Sequence, residues 1–168
     1  MLGTAGAGKT TVALRLAEQL QLPHVELEAW RREGGVLVPR PELIRRASVL
    51  AKQPQWVCEG IFLTWTTPLM GAADLIVWLD VSRTRAAGRV LRRAVSNMRS
   101  GSRPRLWATL RFVYSVLRPH ELDAVLSSPK NLNPSRTAIK EALDGYDDTL
   151  VVVRSDGDVS EMLATLRR

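Results

Sequence analysis

Short apolar runs alternate along this chain with stretches whose apolar residues fall at helical spacing. Val12, Leu14, Leu16, Ala17 and Leu20 predict a helix over Thr11 to Leu20, ended by Pro23. Val25-Glu26-Leu27-Glu28 predicts a short strand, and Gly34-Gly35 a loop. Pro41 opens a helix to about Ala51. Trp56-Val57-Cys58-Glu59 predicts a strand stopped by Gly60. Leu75 to Leu79 is continuously apolar, as a strand covered on both faces must be. Ser82 is placed to cap a long helix to about Arg99, which Ser100 to Pro104 then breaks. Leu106 to Leu117 predicts another helix. Asn131 to Pro134 predicts a turn, with a helix following to Leu143. Leu150 to Val153 predicts the last strand, and Asp158 with Glu161 a capping-box-like start for the final helix. The alternation predicts an α/β fold of about four to five strands. Strand order is not encoded in the pattern.

The chemistry lies at the first break in that pattern. Gly3-Thr4-Ala5-Gly6-Ala7-Gly8-Lys9-Thr10 fits G-x-x-x-x-G-K-[ST] at every fixed position. On average residue usage, a chance match in a chain this long is roughly one in a few hundred. Glycines let the backbone wrap a phosphate without side-chain clashes. Successive N–H groups then form an anion nest, and the following helix presents its positive end to the same group. Gly3, Thr4, Ala5, Gly6, Ala7, Gly8, Lys9, Thr10 and Thr11 are therefore the expected phosphate-binding residues. Lys9 is expected to reach the β- and γ-phosphates of ATP, and the Thr10 hydroxyl to ligate Mg2+. Only Met1 and Leu2 precede Gly3, where a P-loop ordinarily follows a buried central strand. Either the natural start lies a few residues upstream, or the fold works with a stub.

Composition narrows the setting. The 168 residues are 45% hydrophobic and 24% charged, which suits a single domain with its own core spanning 1–168. No apolar run approaches a bilayer's thickness. Met1-Leu2-Gly3-Thr4 lacks the basic-then-apolar order of a signal peptide. A lone cysteine, Cys58, excludes an internal disulfide framework. A cytoplasmic protein is expected, without a membrane partner. Its charge is localised. Residues 81–120 hold ten arginines and no acid, so the remainder, to reach the overall +7, is net −3. A basic surface of this kind attracts phosphates on nucleotides or nucleic acid.

With these pieces in order, the chain resembles the adenylate-kinase-like P-loop kinases, and most closely the bacterial DNA topology modulation protein family. The resemblance runs through Gly3 to Thr11, Leu22 to Glu28, Trp56 to Gly60, Ala73 to Asp80, Arg89 to Arg93 and Val151 to Ser155. It implies a three-layer P-loop fold with a parallel sheet and a short helical lid, with residues 96–120 as lid and basic insertion. It implies a phosphotransferase that passes the γ-phosphate of ATP to a nucleotide or another small-molecule acceptor. The family pattern has Asp where this chain has Glu28 and Glu59; both exchanges keep a carboxylate and lengthen its reach.

The remaining candidates follow from these two sources. A P-loop enzyme needs an acid near Mg2+ at a buried strand end. The resemblance points to Glu59 as the metal-side acid, whereas composition alone favours Asp80. Glu28, at the end of the second strand, is expected to face the acceptor. Glu26 lies two residues earlier on the same face. Arg85, Arg89, Arg92 and Arg99 form one stripe of an amphipathic helix, with Ala87, Leu91, Ala94, Val95 and Met98 on the opposite side. By resemblance, Arg89 and Arg93 sit at the base of a lid formed by Ser100 to Arg105, and Arg154 beside the adenine. Trp30 is expected in the core or stacked on an acceptor base. His24 and His120 are expected to be structural, and Cys58 an inert core thiol. A different class remains open: a nucleotide-dependent regulator that touches nucleic acid through residues 81–120.

Overall fold

The computed structural model describes residues 1–60, 63–99, 106–118, 120–127 and 134–166. The expected lid, Ser100 to Arg105, lies outside them, as does the expected turn apart from Pro134. The elements are β1 (Leu2–Gly3), α1 (Lys9–Leu20), β2 (His24–Glu26), a 3-10 turn (Leu27–Arg31), β3 (Arg32–Glu33), β4 (Val36–Leu37), α2 (Arg40–Ala51) and β5 (Val57–Glu59). They continue with α3 (Thr67–Ala72), β6 (Ile76–Leu79), α4 (Arg83–Arg99), α5 (Leu106–Leu117), α6 (Leu122–Ser127), α7 (Arg136–Ala142), β7 (Leu150–Val153) and α8 (Asp156–Thr165).

The chain is mixed α/β with parallel strand pairing. β1, β6 and β7 form one sheet in that order, with Leu2 opposite Trp78 and Ile76 opposite Leu150. β2 and β5 pair in parallel beside it. Met1 joins the two: its nitrogen donates to the Cys58 carbonyl at 2.7 Å, and Gly60 N–H donates to the Met1 carbonyl at 3.1 Å. That two-bond pattern continues a parallel ladder from β5 to β1. The short β1 is thus flanked on both sides, which places the P-loop between the ends of β5 and β6.

Alternation along β6 explains the layers. Val77 and Leu79 face a core filled by Val12, Ala13 and Leu16 of α1 and Val159, Met162 and Leu163 of α8. Ile76 and Trp78 face the other side, against Leu2, Ile139 and Leu143. Helices therefore cover both faces. A third cluster, with Leu27, Leu43, Ala47, Cys58 and Trp65, packs α2 under β5. Cys58 is buried there, and burial pushes its thiol pKa up, as an inert core thiol requires.

Several local expectations change. Glu28 does not end a strand; β2 stops at Glu26 and Glu28 lies in the 3-10 turn, so Glu26 and Glu28 do not share a strand face. Ser155 rather than Asp158 caps α8: the Ser155 hydroxyl accepts from Asp158 N–H, and Asp158 completes the box from the third helical position. Leu91 and Val95 are exposed, and the packed side of α4 is Ala86, Ala87 and Val90. Gly34 and Gly35, both at positive φ, close the tight β3–β4 hairpin rather than a free loop. Trp30 stacks on Trp65, with ring centroids 6.3 Å apart. Among the described residues no helix is long and apolar enough to cross a membrane.

Candidate active site

The loop from Gly3 to Lys9 turns tightly between β1 and α1. Ala7 N–H donates to the Thr4 carbonyl at 3.1 Å, and Gly8, at φ 98°, starts α1 in the left-handed region. Gly6 also has positive φ, and a Cβ there would lie 2.5 Å from the Ala86 carbonyl of α4. Only glycine permits both the turn and the approach of α4. The start of α1 thus points its free N–H groups into the loop.

Four of the expected residues gather on one side of this loop. The Lys9 ammonium donates to the Thr4 carbonyl at 3.2 Å. Burial lowers its pKa, while Glu59 and then Glu28 oppose that shift with their negative charge. Both carboxylates are therefore electrostatic neighbours of Lys9. The Thr10 hydroxyl donates to Glu59 Oε1 at 2.8 Å. Glu59 is only 4% exposed, and it acts electrostatically on both Lys9 and the Met1 ammonium. A hydroxyl and a carboxylate side by side are hard oxygen donors that suit Mg2+, an ion that keeps several of its waters. Glu28 is exposed and pairs with Arg31 at 2.9 Å.

Asp80 keeps different company. Its Oδ2 accepts from Arg136 at 2.5 Å and from Arg154 at 3.2 Å. Asp80 therefore ends the most apolar strand without meeting Thr10, and Arg154 is held by a carboxylate and by its own N–H donating to Asp158 at 2.7 Å. The serine hydroxyl of Ser155, then that backbone N–H, hold the Asp158 carboxyl below its usual range.

The other side of the loop is closed by α4. Arg89 donates to the Ala7 carbonyl at 2.7 Å and lies 3.4 Å from Asp156. Arg93 is exposed one helical turn further on. A cavity of about 280 Å3 opens here, lined by Ala7, Gly8, Thr11, Arg15, Arg89 and Asp156 among others. Arg15, Asp156 and Arg136 were not among the sequence candidates. None carries a local motif; Arg136 meets its partner across 56 residues of chain.

No protein-family model matches the sequence, and no curated protein matches it. Among solved structures the chain is similar to a gluconokinase from Sinorhizobium meliloti 1021, with 19% identity and a TM-score of 0.53, over 99% of this chain and 90% of that one. At that identity the likeness is one of fold alone, a mixed α/β architecture with parallel strand pairing.

Proposed function

We propose that this protein is an ATP-dependent phosphotransferase, working as one nucleotide-binding domain with residues 96–120 as its lid. The observation that carries the reading is the contact of Thr10 with buried Glu59 beside Lys9, at the mouth of a complete P-loop. The triphosphate lies in the nest from Gly3 to Thr11. Thr10 and Glu59 would hold Mg2+, which would supply charge neutralisation at the phosphate oxygens. Lys9 contributes a second positive charge. Arg89 and Arg93, from α4, supply positive charge on the opposite side. Arg154 stands beside the base.

Glu28 positions an acceptor hydroxyl and takes its proton. The acceptor oxygen bonds to the γ-phosphorus as the bond to the ADP oxygen breaks. Positioning and charge stabilisation supply nearly all the rate gain in such transfers. The acceptor is a nucleotide or another small hydroxylated molecule. The name of the structural neighbour, gluconokinase, puts a sugar acid first among the candidates. Among P-loop kinases we propose an affiliation with the DNA topology modulation family, on the motifs at Gly3 to Thr11 and Trp56 to Gly60. The test is ADP release across nucleoside monophosphates, nucleosides, sugars and sugar acids. Turnover with one class supports the reading; silence across the panel with intact ATP binding contradicts it.

A second reading rests on the arginines of α4, exposed at Arg85, Arg89, Arg92 and Arg93 within a segment that has no acid. A nucleotide-dependent regulator would use them on nucleic-acid phosphates. Such binding weakens steeply with salt, and DNA mobility shifts between 50 and 200 mM salt separate the two.

A further inference from the structure

α4 and α5 pack against each other, and each turns large apolar side chains outward. On α5, Leu110, Tyr114 and Leu117 are 52%, 56% and 44% exposed. They follow one another at helical spacing, so they form a single stripe, and exposed Arg118 continues it. The Arg118 guanidinium lies over the Tyr114 ring, 5.2 Å from its centroid. Val116 marks the inward side of the helix, where it is fully buried. The same combination recurs on α4: Leu91 and Val95 are exposed one turn apart, with exposed Arg92 beside them.

Charge separates this surface from other exposed apolar residues. Leu14 and Leu20 share α1 with Glu18, and Ile44 and Val49 share α2 with Glu42. Residues 81–120 hold ten arginines and no acid. An apolar stripe framed only by guanidiniums is complementary to a surface that is anionic outside and apolar just beneath. A lipid bilayer with acidic headgroups is such a surface. A helix lying in its plane sinks its apolar side by about 5–10 Å, while cations at the margin stay among the headgroup phosphates. Tyrosine, apolar in its ring and polar at its hydroxyl, suits the same depth. Nucleic-acid phosphates would engage the arginines and leave the leucines in water. Contact of this kind needs no spanning helix, and among the described residues there is none.

We propose that the α5 stripe of Leu110, Tyr114, Leu117 and Arg118 docks on an anionic lipid bilayer. The two leucines and the Tyr114 ring enter the acyl boundary, and Arg118 meets a headgroup phosphate. The proposal does not depend on the phosphotransferase reading, because it uses neither the P-loop nor Glu28, Arg89 or Arg93. A stripe of this size gives reversible binding that salt weakens.

The test is sedimentation of the full chain with vesicles of phosphatidylcholine alone and of phosphatidylcholine with about a third phosphatidylglycerol. The protein sediments with the anionic vesicles and not with the neutral ones, and less of it does so as salt rises from about 50 to 200 mM. The double variant Leu110→Gln/Leu117→Gln lowers the partition coefficient by about 10-fold or more, because two exposed leucines lose their transfer to the acyl boundary. Arg118→Gln lowers it by about 5-fold, the effect of one cation near the headgroups. All three positions are exposed, so both variants keep the wild-type Tm. Tyr114→Gln, at the most exposed position of the stripe, repeats the test if the double variant does not fold. Equal binding to the two vesicle types, binding to neither, or an unchanged partition coefficient in the leucine variant overturns the proposal. Binding to duplex DNA that the leucine variant retains in full, without vesicle binding, assigns the arginines to nucleic acid and overturns it. A wild-type dimer in analytical ultracentrifugation that the leucine variant splits, again without vesicle binding, assigns the stripe to a second copy and also overturns it.

Discussion

Glu59 and Asp80 end two strands that flank the same short β1, and their surroundings have made them different groups. Glu59 is buried against Thr10, and its charge acts on Lys9. Asp80 is nearly as buried, but two guanidiniums already occupy it. By strand composition alone Asp80 looks the better partner for a metal. In the fold β5 ends beside the Thr10 side of the loop and β6 ends beside α7, so Glu59 meets Thr10 and Asp80 meets Arg136. A strand-end carboxylate takes its role from what the tertiary structure delivers to it, more than from how apolar its strand is.

The largest expected effect tests the Glu59 side. Lys9→Ala removes the charge that Glu59 and Glu28 surround, and should lower turnover by about 100- to 1000-fold. Steady-state ADP release measures it, and an unchanged rate would remove Lys9 from the site. Next comes the contact between the loop and α4. Gly6→Ala drives a Cβ into the Ala86 carbonyl at positive φ. Overpacking and left-handed strain together predict a loss of roughly 2–4 kcal/mol, read as a shifted denaturant midpoint.

Asp80→Asn sharpens the other half of the comparison. It weakens the hold on Arg136 and Arg154, whose side chains are 64% exposed, so solvent screening keeps the cost to about 1 kcal/mol. A loss of several kcal/mol in thermal unfolding would mean the triad is far less screened than its exposure suggests.

The smallest effect comes from a carboxylate at neither strand end. Hydrogen bonds from Arg45 and then Arg46 hold Glu42 at a pKa of about 2, against an ordinary 4.5. A depressed acid stabilises the fold above its unfolded pKa. That contribution therefore disappears as the pH falls from 4.5 towards 2. Glu42→Gln should flatten the decline of Tm across that window, and an unaltered acid limb would show that the pair contributes nothing.

How far this was legible in the sequence depended on distance along the chain. The G-x-x-x-x-G-K-[ST] motif is local, and its Gly3, Gly6 and Gly8 take the positive φ that glycine permits. The bounds of Leu106–Leu117 and Leu150–Val153 were also readable, because their apolar runs have clear ends. Glu28 was misplaced because Val25 to Glu28 alternates like a strand, while Leu27 instead turns into the α2 cluster and starts the 3-10 turn. The cap of α8 was shifted because Asp158 is a good capping residue that happens to serve the Ser155 box. The outward turn of Leu91 and Val95 follows from α4 packing tightly on the P-loop through Ala86 and Val90. The Asp80–Arg136 pair had no sequence signal, since 56 positions separate the two residues.

The most direct test of the central claim is the Mg2+ dependence of ATP-analogue binding in Glu59→Gln and Asp80→Asn, measured by titration in parallel. The account predicts that Glu59→Gln raises the Mg2+ concentration needed by about 10- to 100-fold, and that Asp80→Asn leaves it unchanged. The reverse result, with Asp80→Asn losing the Mg2+ response and Glu59→Gln keeping it, would contradict the assignment of Thr10 and Glu59 as the metal-side pair.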